Sequence, residues 1–247
     1  MSFYAVLRHA LSAYIRNFKL ISFFSIPFLV SFPLALVLPN FVSLGSIFLR
    51  FGSIRHDLTI FDALLIFAAL VFALLLFAFS VVAVNLVIKS QRTLLRLNSR
   101  DIEKIEVQTF KLFLVYAAVF AVSFGVNYLL YDFGLHTFLG ALFSFALSLS
   151  VLFAGQAIVL EDLEARHVFS RSISLLTRKP FYVAGFFGVA VLLLLANDAL
   201  FLALGTALGE QAMISRYLSI VVNALAILPF LECLKVQIYL SKYSILG

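Results

Sequence analysis

FDALLIFAALVFALLLFAFSVVAVNLVI, residues Phe61 to Ile88, carries one charged residue, Asp62, at its very edge. A helix of this stretch, at ~1.5 Å per residue, is longer than a hydrocarbon core of ~30 Å and crosses it with tilt or an extra turn. Five more runs have the same character: Leu20 to Leu38, Leu112 to Tyr131, Phe138 to Leu160, Phe181 to Leu204 and Tyr217 to Lys235. The fifth stays apolar to about Leu208, and Asn197 with Asp198 offers an alternative outer end. The composition agrees: 64% of the 247 residues are apolar and 12% charged, against about 45–50% and about 25% in a soluble domain. The expected architecture is all-α, a polytopic membrane bundle of about six spans arranged as three hairpins in one transmembrane domain.

Lys and Arg fix the expected orientation. Fifteen of the 18 lie in the N-terminal segment, the second and fourth loops and the C-terminal end. The opposite loops hold Arg50, Arg55 and Arg216. Positive residues concentrate on the cytoplasmic side, so both termini are expected there, in a cell-membrane protein. Tyrosines repeat the boundaries: Tyr14, Tyr116, Tyr182, Tyr239 and Tyr243 fall near the inner surface, and Tyr128, Tyr131 and Tyr217 near the outer. Basic residues recur through the first 19 positions without a short apolar core and cleavage site, so no cleavable leader is expected.

Each outward-going span follows a basic amphipathic segment. Tyr4, Leu7, Leu11, Tyr14 and Phe18 recur at helical spacing, with Arg8, Ser12, Arg16 and Lys19 on other faces. Ser90 to Lys111 precedes the third span, and Ala165 to Arg178 the fifth, with Val168, Phe169, Ser172 and Leu176 on one face. Ser172 is a hydroxyl among apolar neighbours, which predicts a hydrogen bond to a span terminus or a partner. The first and third lead-ins align loosely, RHALSAYIRNFKLISFF against RSISLLTRKPFYVAGFF, as a parallel repeat would.

The stretch AIVLEDLEARHVFSRSISLLTRKPFYVAGFFGV, Ala157 to Val189, resembles a pattern in a broad family of poorly characterised prokaryotic multi-span proteins. That family is related to the membrane domain attached to some glycerophosphoryl diester phosphodiesterases. Glu161, Ser172, Leu175, Leu176 and Gly185 carry the resemblance, and Pro229 with Tyr239 looks similar too. The Trp that often follows the serine is here Ile173, and no phosphodiesterase domain is attached. The resemblance implies a six-helix membrane domain.

Catalytic patterns fall short. Glu161, Asp162 and Arg166 approximate a CAAX-type protease motif, but no His follows His167 to activate water. Tyr131 and Asp132 lack a GxGD partner, and no GxS motif lies in a span. His9, His56, His136 and His167 sit in four segments, and no phosphate-binding glycine loop occurs. No cofactor and no catalytic residue are therefore expected. The net charge of +6 follows the topology rule, which points to anionic headgroups on the cytoplasmic face and not to nucleic acid.

Polar residues within the spans form two layers. Asn85, Gln156 and Glu232 lie about 5–6 Å from the inner span ends, and Glu232 with Lys235 reads as an interfacial pair snorkelling to water. Asn127, Asp198 and Asn223 lie ~6–9 Å from the outer ends and are expected to meet in one polar cluster. The middle carries only apolar residues and hydroxyls, unlike a proton or metal-ion pump. Glu161, Arg171, Ser172, Arg178, Glu232 and Lys235 are the candidate interfacial or partner contacts, the partner being another protein or a second copy of the chain. The leading expectation is a non-enzymatic membrane component for partner assembly or for handling lipid or another apolar substrate. A permease subunit energised by a separate ATPase is the alternative. After replacement of Cys233, cysteines at Ser2, Ser99 and Ser174 should react only from the cytoplasm, and those at His136 and Gln211 only from outside. Outside labelling at Ser99 would reverse the orientation.

Overall fold

The computed structural model describes residues 2–37, 60–92, 99–131, 133–208 and 212–241. All regular structure among them is helical: α1 Phe3–Arg16, α2 Phe18–Val37, α3 Ile60–Arg92, α4 Ser99–Tyr131, α5 Ala141–Ser150, α6 Ala154–Glu161, α7 Ala165–Arg178, α8 Pro180–Leu208, α9 Ala212–Val222 and α10 Leu228–Leu240. π turns at His136–Gly140 and Asn223–Ile227 lead into α5 and α10. Among the described residues five stretches are long and apolar enough to cross a membrane, or six if α1 and α2, bent by 89°, are counted together as one span. The molecule is a polytopic all-α bundle, with α2, α3, α4, α5–α6, α8 and α9–α10 at the six expected spans.

Four details depart from the sequence expectation. The lead-in to the third span is no separate element: from Ser99 onward it is continuous with the span in the 33-residue α4. Residues 93–98 of that lead-in lie outside the described residues. Asn197 and Asp198 do not end the fifth span, because α8 continues to Leu208. On α1 the face packed on the bundle is Val6, Ala10 and Tyr14, while Tyr4 and Leu11, with Phe18 at the start of α2, are exposed.

The fourth difference is that span four breaks at residues 151–153, between α5 and α6. Serines precede the break. Ser148 and Ser150 donate their hydroxyls to the carbonyls of Ser144 and Leu147 at 2.8 and 2.6 Å, back-bonding that bends helices. The new N-terminus then needs an acceptor, and Ser172 Oγ of α7 takes the Phe153 N–H at 3.2 Å with no exposure to solvent. The hydroxyl on the apolar face of the lead-in thus reaches a helix terminus inside a span.

Span six is interrupted by a π turn for a different reason. Pro229 has no N–H, and its ring crowds the carbonyl four residues back, that of Leu225. The π turn accommodates this, and Tyr14 of α1 donates its hydroxyl to Leu225 O at 3.4 Å. The same ring meets Phe230 edge-on at 5.9 Å.

The core lies at the end of the bundle where α1 crosses. Residues Leu231 to Tyr239 of α10 and Ala154 to Val159 of α6 are buried on every side. Around them pack α1, α3 and α7. Gly155 permits the approach of α6 to α3, since a Cβ there would lie 2.6 Å from Val81 Cγ1. The opposite ends of α4, α5, α8 and α9 expose Leu, Phe and Val side chains, as lipid-facing helices do. Replacing Ser172 by Ala should cost about 1–3 kcal/mol, because it leaves the Phe153 N–H buried without an acceptor. Leu should be worse through overpacking. Thermal unfolding in mild detergent measures both, and a Leu variant that melts with the parent refutes the capping role.

Candidate functional site

The half-helix α6 is held by polar groups along its whole length, contributed by α3, α7 and α10. Ser172 of α7 caps its start. One turn on, the Gln156 side-chain N–H₂ donates to Asn85 Oδ1 of α3 and to Glu232 Oε2 of α10, both at 3.1 Å. The other Glu232 oxygen meets Lys235 Nζ at 2.5 Å. Near its end, Lys89 of α3 donates to the Val159 carbonyl at 2.6 Å, placing a cation on the negative end of the helix dipole.

Glu232 and Lys235 are 6% and 8% exposed, and Asn85 and Gln156 not at all. The expected snorkelling pair is therefore a buried one. The reason is that α10 runs through the centre of the bundle, so a Lys side chain one turn from Glu232 finds the carboxylate before it finds water. Asn85 Nδ2 and Gln156 Oε1 have no hydrogen-bond partner. The two clefts of about 380 and 410 Å³ lie elsewhere, so they offer this network no substrate space.

Where α6 ends, Glu161 receives Arg171 bidentately, Nε to Oε2 at 2.7 Å and Nη2 to Oε1 at 2.6 Å. That hydrogen bonding holds the guanidinium well above its ordinary pKa against the opposite pull of burial. The Tyr239 ring of α10 lies beside both charges, with its hydroxyl buried and without a hydrogen bond of normal geometry. Asp162 follows in the left-handed region, φ 52°, which lets the chain reverse sharply into α7. Its carboxylate faces Lys111 at 3.5 Å and Lys104 at 3.6 Å on α4. Burial pushes this carboxyl up, but the two lysines outweigh it and hold it below the ordinary range. The contact is thus complete at neutral pH and is lost as pH falls through that lowered value.

No hydrogen bond joins the three members of the predicted outer cluster, and they stand in different surroundings. Asn127 donates to Ser123 O at 2.7 Å and Ser144 Oγ at 2.8 Å, joining α4 to α5. Gly140 makes room for it, since a Cβ there would lie 1.9 Å from Asn127 Oδ1. Asn223 opens the π turn with Oδ1 buried and unpartnered. Asp198 lines an open cleft between α8 and α9. The amide that joins those two helices is Asn197, which donates to Ser219 Oγ at 2.8 Å. From the sequence, Asn197 stands out only as an alternative end of the span. Its polarity at the outer depth of a run that stays apolar to Leu208 was the available signal.

Arg178 stands exposed at the end of α7, beside a small cleft of about 30 Å³ that Arg171, Lys179 and Tyr239 also line. Among the described residues no group of three or more His, Cys, Asp or Glu is placed to hold a metal ion. What the network can do chemically is fix geometry: paired charges and amides inside an apolar bundle lock α6 between α3 and α10. Comparisons with protein-family models, with curated proteins and with solved structures find no match.

Glu232→Gln should leave the Lys235 ammonium buried and unpaired, a loss of about 3–5 kcal/mol. Adding Lys235→Met should recover most of it. Unfolding of the four-member mutant cycle in detergent measures the coupling, and additive losses would show that the two groups do not share a site.

Proposed function

We propose that this chain is a non-enzymatic, multi-pass component of the cell membrane, with both termini cytoplasmic, that handles lipid through its interfacial helices. The observation carrying this reading is the posture of α1. It turns 89° from α2, buries Val6, Ala10 and Tyr14 on the bundle, and exposes a second apolar stripe of Tyr4, Leu11 and Ile15. Arg8 and Arg16 stand exposed beside that stripe. A helix with one face on protein, one apolar face free and one basic face suits the plane where acyl chains meet anionic headgroups. Arg178 and Lys179 of the α7–α8 corner lie at the same end of the bundle, where Lys179 donates to Ser241 at 2.7 Å and Phe3 meets Tyr182 edge-on. The shared end of α1, α10 and this corner supports placing both termini on one side.

A permease subunit remains the second reading, favoured by one feature. The amphipathic α7 is tied to the broken span through both Ser172 and Arg171, as a helix that passes force from an ATPase would be. Kinship with the phosphodiesterase-associated membrane family is proposed on related ground: Glu161, Ser172 and Gly185, which carry the resemblance, all make close contacts at this end.

Mild-detergent purification followed by lipid and protein mass spectrometry tests the readings together. Phosphatidylglycerol or cardiolipin should be enriched several-fold over the bulk membrane, and Arg8→Gln/Arg16→Gln/Arg178→Gln should abolish the enrichment. A stoichiometric ATPase stimulated by the chain would replace this reading with the permease. Lipids in bulk proportion would refute it.

A further inference from the structure

At the end of the bundle opposite α1, α8 and α9 diverge around an open cleft of about 380 Å³, within the ~300–1,000 Å³ range of small-ligand sites. Two charges face into it, Asp198 from α8 and Arg216 from α9, both exposed. The register of the helices is set by Asn197 donating to Ser219 and by Ser215 donating to the Phe201 carbonyl. These two contacts put Arg216 level with Leu200, ~3 Å along the axis from Asp198. Yet no ion pair joins them, and neither makes a hydrogen bond to any other described residue.

Their depth decides what surrounds them. Asp198 lies 18 residues beyond Pro180, ~27 Å along α8, and Arg216 lies 23 residues from Tyr239, ~35 Å along the last span. Both stand near the far edge of a hydrocarbon core of ~30 Å, where phospholipid headgroups sit. Phe201, Leu202 and Ile220 form the apolar walls, and Leu202 is 71% exposed, so the cleft opens sideways to acyl chains.

We propose that this cleft binds the headgroup of a zwitterionic phospholipid bearing a primary ammonium, such as phosphatidylethanolamine. This deepens the lipid-handling reading above and rests on it. Arg216 supplies the planar donor fork that matches a phosphate, and Asp198 accepts from the ammonium. One facing cation and one facing anion complement a headgroup that carries both charges on neighbouring groups. A purely anionic headgroup would leave Asp198 unmatched. A quaternary ammonium has no N–H to give the carboxylate and is recognised by aromatic cages, whereas Phe201 is the one aromatic lining this cleft.

The test uses the full chain carrying Arg8→Gln/Arg16→Gln/Arg178→Gln as the parent of the series, so that the anionic-lipid contacts at the other end do not compete, in nanodiscs of equal phosphatidylethanolamine, phosphatidylglycerol and phosphatidylcholine, with native mass spectrometry of retained lipid. The parent should retain phosphatidylethanolamine several-fold over the other two. Asp198→Asn should lose the preference over phosphatidylglycerol, Asp198→Glu should keep it, and Arg216→Gln should retain neither lipid. Both positions are exposed and unpartnered, so the variants should melt with the parent. A variant that melts early is replaced in the series by the charge exchange D198R/R216D. If that exchange restores stability without lipid preference, the two residues form an internal pair and the proposal fails. Equal retention of the three lipids by the parent, or an unchanged preference in Asp198→Asn, also overturns it. Anionic-lipid enrichment at the other end depends on Arg8, Arg16 and Arg178, so the two readings can fail separately.

Discussion

Burying a carboxylate and an ammonium in an apolar bundle is tolerable only if each finds a partner with good geometry, and Glu232 with Lys235 satisfies that condition at 2.5 Å. The second Glu232 oxygen then requires a donor, which Gln156 provides, and the same amide also bonds Asn85. Three helices are thereby fixed at one height. Removing any member would leave a desolvated polar group, so this small network sets the spacing of the core around it. Gly155 lets the helices close upon it.

The rest of the core follows from backbone polar groups that the bundle cannot leave unpaired. Two spans are irregular, and each irregularity is matched by a side chain from an amphipathic helix. Ser172 of α7 accepts the Phe153 N–H that the break in span four releases. Tyr14 of α1 bonds the Leu225 carbonyl that Pro229 cannot use. Irregular backbone is compatible with membrane depth where protein covers it, and these two helices provide the cover. They are structural members of the bundle as well as surface features.

The two ends of the molecule differ accordingly. At the α1 end, the buried charges are enclosed and paired. At the opposite end the helices expose apolar side chains, and the unpaired charges Asp198 and Arg216 share one cleft. The proposed lipid contacts use the surfaces of both ends, with an interfacial helix at one and a cleft at the other. The buried network between them is a scaffold that holds the helices in place.

Length and uninterrupted hydrophobicity determined the six spans, because a bilayer demands a fixed number of apolar residues whatever their order. The polarity of Ser172 on an apolar face was equally legible, since helical periodicity exposes it. Glu161, Arg171, Glu232 and Lys235 could be singled out by residue type and depth alone. Which groups pair could not, because pairing depends on helix rotation and neighbours. Equal depth put Asn127, Asp198 and Asn223 in one expected cluster, while packing gave Asn127 to Ser144, set Asn223 into a π turn and left Asp198 facing a cleft. Glu232 and Lys235 read as a pair bound for water, and only the central position of α10 buried them. A sequence states how deep a polar residue lies along its span, whereas the direction it faces, and hence its partner, is decided by how the helices pack.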